Sequence, residues 1–218
     1  MEKTEKAIEW TSQIGQDEFA FNALGQKQNG YFLEIGAFDG VKSSNTYCLE
    51  KYFGWKGLCV EANPETYKSL RANRDCECLQ MAVSNFTGEV FFEEASTVWD
   101  KITDKGTVAV PCTTLTEIFK SQNVPTDIDY MSLDIEGAEV QALEAFPFNT
   151  HTCKIITVEH NLYMEGPENK MKIKEILEKN DYVCVKDNVA YTKHGLNNPY
   201  EDWYVHSSYL PTYQSYNK

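Results

Sequence analysis

Of five apolar runs along this chain four end in charged or amide groups, and helix-like stretches separate them. "YFLEIG" leads to Glu34 and then Asp39, "KGLCVEANP" to Glu61 and Asn63, and "CECLQMAVS" follows as a third run. "IDYMSLDIEG" reaches Asp134 and Glu136, and "CKIITVEHN" reaches Glu159 and His160. Runs this apolar suit strands covered on both faces, as in a parallel sheet. Between them, positions 44–53, 64–73, 113–122, 138–146 and 167–180 read as helices. Ser43 or Ser44, Pro64, and Thr113 or Thr114 with Glu117 stand where helix starts need them. This alternation dictates an α/β fold with helices on both faces of the sheet.

In such a sheet ligands bind beyond the carboxyl ends of the strands, where the strand order reverses. The polar run-ends therefore fall on one rim. Glu61 lies 21 residues after Gly40, at the strand-tip position where a carboxylate accepts from ribose hydroxyls in Rossmann-like folds. The turn "GAFDG" lacks the GxGxxG spacing that sets a helix N-terminus against a pyrophosphate. A nucleoside without pyrophosphate fits better, and S-adenosylmethionine (SAM), with an ammonium and a sulfonium, suits an acidic site. The alternative for the turn is strand-to-helix geometry with no ligand.

The formal net charge is −13 over 218 residues, which disfavours a nucleic-acid backbone as partner. The seven cysteines include no CxxC pair, so free thiols in a reducing compartment, the cytoplasm, are expected. No run reaches membrane-spanning length. "GEVFFEE" and "TVAVPC" alternate as outer strands or a hairpin arm. "YVCVKDNVAYTKH" reads as a terminal hairpin turning at Asp187-Asn188, with a Tyr-rich tail from about residue 197.

The ordered set "SQIGQD", "FLEIGAFDG", "SNTYCLE", "GWKGLCVEANP", "TTLTEI", "DYMSLDIEGAE" and "ITVEHN" resembles the FkbM-type methyltransferases, a class I SAM-dependent family, over about residues 11–195. The sequence has Glu34 where the family often has Asp, "VEAN" where "IEPN" is common, and Phe38 where a small or polar residue is frequent. The resemblance implies a Rossmann-like three-layer sandwich, mainly parallel with an antiparallel C-terminal strand. It implies one methyltransferase domain over 1–218, with a cap segment over about 1–30, and O-methylation of a saccharide or glycan hydroxyl. An N-methyltransferase and a catalytically silent SAM-binding module are the rivals.

For the cofactor, the expected residues are Glu34, Gly36, Ala37, Asp39 and Gly40 in the first turn, and Glu61, Ala62 and Asn63 at the second strand. Met81 and Ala82 would flank adenine, and Asp134 would sit below the methyl donor. Asn45 and Thr46 cap a helix or touch ligand. Gln13 and Gln16 would close over the cofactor, while Asp17 either joins them or caps the helix. Asp134, Glu159 and His160 are the expected catalytic residues. They would either hold Mg²⁺ or Mn²⁺, or act without metal, with His160 as general base. Tyr163, Met164, Tyr47, Trp99 and the Tyr-rich tail are candidates for an acceptor wall.

Overall fold

The computed structural model describes residues 8–92, 102–103, 108–193 and 196–216. Chain order is α1 (Gln16–Ala23), β1 (Tyr31–Ile35), α2 (Tyr47–Phe53), β2 (Lys56–Glu61), α3 (Pro64–Asn73), β3 (Glu77–Gln80), β4 (Ala82–Val83) and β5 (Gly88–Phe92). Then come β6 (Ile102–Thr103), β7 (Val108–Thr113), α4 (Leu115–Gln122), β8 (Asp127–Leu133), α5 (Glu139–Glu144) and β9 (Thr152–Glu159). The chain closes with α6 (Leu162–Glu165), α7 (Pro167–Lys179), β10 (Tyr182–Lys193), β11 (Leu196–His206) and α8 (Leu210–Tyr216).

A seven-stranded sheet runs in the order β10-β11-β9-β8-β1-β2-β3. β3, β2, β1, β8 and β9 are parallel, whereas β11 is antiparallel to β9 and β10 antiparallel to β11. The order reverses between β1 and β8, which places the switch point at the tips of Ile35 and Leu133. Strand pleating sends alternate residues to opposite faces. Leu33, Ile35, Met131, Leu133, Ile156 and Val158 pack with α4, α5 and α7 on one face. Phe32, Tyr130, Ile155, Trp203 and Val205 pack with α1, α2 and α3 on the other. The result is the expected three-layer α/β sandwich.

Helix starts follow the sequence signals. Asn63 caps α3 by accepting from Glu65 N at 2.8 Å, with Pro64 in the first turn. Thr114 caps α4 by accepting from Glu117 N at 3.1 Å.

Two details differ from expectation, and the tail acquires a structure. The run "CECLQMAVS" divides at Met81, and β4 leaves the main sheet for a four-stranded sheet, β4-β7-β5-β6. Asp187-Asn188 is not a turn. β10 runs through it with register shifts, and Asn188 holds a left-handed φ of 53° while its N–H donates to Asp202 at 2.7 Å. The extra residues are absorbed as a bulge, which needs no reversal of the chain. The tail from 197 is the buried strand β11 followed by α8, because Tyr200, Trp203, Tyr204 and Val205 supply apolar groups to both faces.

Candidate functional site

Gly36 fixes the geometry at the switch point. Its φ is 89°, and a Cβ there would lie 1.7 Å from the Asp134 carbonyl oxygen. Only glycine lets the β1 and β8 tips approach this closely. Beyond them opens a cavity of about 600 Å³, within the range of small-molecule sites.

One wall of the cavity is apolar and comes from Ala62, Met81, Ala82, Val83 and Phe92. Phe92 belongs to the small sheet, so that sheet supplies part of this wall. In the middle stands Glu61, which accepts from Phe38 N and Asn63 N, both at 2.8 Å. Those two bonds fix the carboxylate at the β2 tip. The opposite end is acidic, with Asp134, Glu136 and Glu159 on the wall. Gln13 closes the cavity from the N-terminal segment and accepts from the Tyr200 hydroxyl at 3.2 Å.

The acidic end is electrostatically loaded. Burial pushes Glu159 well above the usual carboxylate range, and the charges of Asp134, Glu136 and Glu139 push it further. Burial raises Asp134 as well. Glu139 is raised to about 7 by burial, although its carboxylate accepts from Ile135 N at 2.8 Å and from Gly137 N. Glu201, opposite Glu159 in the β9–β11 register, is raised to about 8 by burial and by Asp134. Glu201 accepts from Gln16 Nε2 at 2.8 Å. Glu159 Oε2 is buried without a hydrogen-bond partner.

Of the expected cofactor residues, Gly36, Glu61, Ala62, Asn63, Met81, Ala82 and Asp134 lie on the cavity wall. The structure places the others elsewhere. Glu34 pairs in register with Ser132, two residues below Asp134. There its carboxylate accepts from Ser44 Oγ, Asn45 N (2.7 Å), Thr46 Oγ1 (2.6 Å) and Arg74 (3.0 Å). It is an internal anchor for the 40–46 loop. Ala37 is buried in the core. Asp39 accepts from Val41 N and Lys42 N, building the turn through Gly40. Asn45 donates to Ser132 Oγ at 2.8 Å. Asp17 is buried and accepts from Thr11 N and Ser12 N, so it organises the N-terminal turn.

Of the three expected catalytic residues, the structure brings Asp134 and Glu159 together and turns His160 away. His160 Nε2 donates to Asp202 Oδ1 at 3.2 Å, and Nδ1 accepts from Leu162 N at 3.2 Å. Both ring nitrogens are engaged on the α7 side of the sheet. The third carboxylate beside Asp134 and Glu159 is Glu139, and one oxygen of each lies within 4.8 Å of the others. Sequence reasoning passed over Glu139 and Glu201. The first was signalled by "DIEGAE", an acid entering a helix five residues after Asp134. The second was signalled by alternation in "YEDWYVH". Among the acceptor-wall candidates, Tyr163 and Met164 line the cavity, joined by Tyr191 and Tyr200, while Tyr47 does not; Trp99 lies outside the described residues.

The methyltransferase FkbM domain profile matches residues 34–184. The chain belongs to the FkbM methyltransferase family. The fold agrees with solved methyltransferase structures. An O-methyltransferase from Bacillus cereus in complex with SAH aligns with a TM-score of 0.55 at 12% identity, over 92% of this chain and 84% of that one. Cofactor-bound Rv0187 from MTB aligns at 0.55 and 10% identity, over 93% and 84%. No curated protein matches the sequence. FkbM membership makes this a SAM-dependent methyltransferase, and the cavity fits SAM. Its apolar wall suits adenine, Glu61 suits the ribose diol, and the cluster of Asp134, Glu136 and Glu159 suits a cationic group. The unpartnered Glu159 oxygen marks the same end. Among the described residues no helix is long and apolar enough to cross a membrane.

Proposed function

We propose that the protein methylates a hydroxyl of a saccharide or glycan acceptor, with Glu159 taking the hydroxyl proton. The observation that carries this reading is Glu159 on the cavity wall beside Asp134, with a buried carboxylate of which one oxygen has no hydrogen-bond partner. SAM when bound supplies an electrophilic methyl on a sulfonium sulfur. Glu61 holds the ribose hydroxyls, and Met81, Ala82 and Phe92 exclude water around the base. Asp134 faces the positive charge. Burial and the neighbouring acids push Glu159 well above the usual carboxylate range, so its carboxylate holds the hydroxyl proton tightly once it has taken it. Bound SAM would supply the methyl group to the acceptor oxygen, and the Glu159 carboxylate takes the proton that the hydroxyl gives up. Holding these groups in line in a dry site supplies much of the rate.

The test is methyl transfer from SAM to a panel of neutral saccharides, read by mass spectrometry. Glu159→Gln should lower turnover by about 10²–10⁴ while SAM still binds. Transfer to amines alone would replace this reading with N-methylation. SAM binding with no transfer across saccharides and amines would support a silent binding module.

Metal assistance is a second reading, favoured by the 4.8 Å clustering of Asp134, Glu139 and Glu159 oxygens. These hard oxygen donors suit Mg²⁺ or Mn²⁺, and His160 is not part of the set. Loss of turnover in EDTA, restored by either ion, would select it. Full turnover in EDTA would remove it.

A further inference from the structure

SAM carries a carboxylate as well as its two cationic groups. The carboxylate shares a carbon with the ammonium, at the methionyl end. The acids at the far end of the cavity, Asp134, Glu136 and Glu159, bring a carboxylate no positive charge, whatever their protonation. Among the described residues lining the cavity, Lys42 is the one cation. We propose that Lys42 binds the cofactor by its carboxylate, with the lysine ammonium paired to the methionyl carboxyl group of SAM.

The first support is position. Lys42 Nζ lies 6.0 Å from the centre of the Phe38 ring, and Phe38 N donates to Glu61 at 2.8 Å. The lysine therefore stands on the turn that touches the ribose carboxylate. Its neighbour Ser43 also lines the cavity and bridges to Ser12 of the N-terminal segment. Gln13 follows, and accepts from the Tyr200 hydroxyl at 3.2 Å. The Tyr200 carbonyl accepts from His160 N at 2.7 Å, one residue after Glu159. This wall thus runs from Glu61 to the acidic end, the span that a methionyl chain covers between ribose and sulfonium. The second support is rigidity around an open side chain. Lys42 N donates to Asp39 at 2.8 Å, and Glu34 holds Ser44, Asn45 and Thr46. Ser43 between them takes a left-handed φ of 59°, a conformation uncommon for serine and found disproportionately at ligand sites. The Lys42 side chain is exposed. A fixed backbone with an exposed, four-carbon stem lets the ammonium swing onto a bound anion.

The test uses the full chain and three ligands: SAH, decarboxylated SAH, and methylthioadenosine, which lacks the whole amino-acid end. Binding is read by titration calorimetry at low salt. Lys42→Ala should weaken SAH by about three- to fivefold, the worth of an ion pair at an open wall. Lys42→Glu should weaken it by about tenfold or more, because a like charge replaces an opposite one. Lys42→Arg should bind SAH as wild type does. Decarboxylated SAH and methylthioadenosine should change by less than about twofold in Lys42→Ala. Decarboxylated SAH, a cation, should bind Lys42→Glu no more weakly than wild type. Added salt should shrink the SAH losses. Equal losses for all three ligands would make Lys42 a prop for the loop and overturn the proposal. Unchanged SAH affinity in Lys42→Glu, or no SAH binding by the wild-type chain, would overturn it as well. No acceptor enters these measurements, so their failure leaves the saccharide reading standing.

Discussion

Glu34→Gln separates an internal anchor from a cofactor ligand, the two roles open to this residue. The side chain is buried at 2% exposure, and Arg74 opposite it at 4%. One carboxylate oxygen accepts from Asn45 N and the other from Arg74, and hydroxyls of Ser44 and Thr46 complete the set. Hydroxyls can rotate to offer a lone pair, but a backbone N–H and a guanidinium cannot. A glutamine amide nitrogen must therefore face one donor that cannot yield, whichever way it turns. Arg74 would keep Glu50 as an acid partner but lose its deepest one. Removing one member of a buried ion pair costs about 3–5 kcal/mol. For a chain of this size that lowers the melting temperature by roughly 6–20 °C. The assay is thermal unfolding alongside SAM titration calorimetry at a temperature where the variant is folded. A melting temperature within about 2 °C of wild type, at most about 1 kcal/mol of lost stability, together with abolished SAM binding, would refute the anchor and restore the cofactor role.

Glu61→Ala should weaken SAM binding by about ten- to a hundredfold, the worth of a charge-assisted hydrogen bond; unchanged affinity by calorimetry would remove Glu61 from the site. SAM should bind more tightly as pH rises from 6 toward 8, because a cationic ligand prefers the ionised forms of Glu139, raised to about 7, and Glu201, raised to about 8. Calorimetry in buffers of different ionisation enthalpy should then show proton release on binding, and a flat profile would contradict the electrostatics of the acidic end. The ligand-free protein should behave oppositely. These acids bind protons more tightly when folded, so their contribution is complete below the ordinary carboxylate range and is lost as pH rises through 7–8; stability that climbs over that window would count against the raised values. All seven cysteines are free, although Cys59 and Cys76 bring their sulfurs to 3.5 Å, so thiol counting in denaturant without reductant should find seven.

How far the site was legible in the sequence follows from strand geometry. Alternation of apolar runs and helices gave the layers and the parallel order, and run-ends marked the rim, because both depend only on local pattern. Whether a rim residue faces the cavity depends on pleat and depth, which need the register. Glu159 and His160 are adjacent, so pleating sends them to opposite sides. Glu159 goes with Thr157 and Ile155 toward α1, and His160 goes with Val158 and Ile156 toward Asp202 and Lys170 of α7. His160, bonded to Asp202 and Leu162, therefore lies outside the carboxylate cluster of Asp134, Glu139 and Glu159. Glu34 fails by depth instead. It lies on the same face as Asp134 but opposite Ser132, so the 40–46 loop and Arg74 fill the space a ligand would need. Glu201 was passed over for a third reason: alternation in "YEDWYVH" assigns it a face, but its strand pairs with β9 only after β10 has run the whole width of a bulged hairpin. The acidic end of the cavity is thus assembled from three strands whose mutual register no single run encodes.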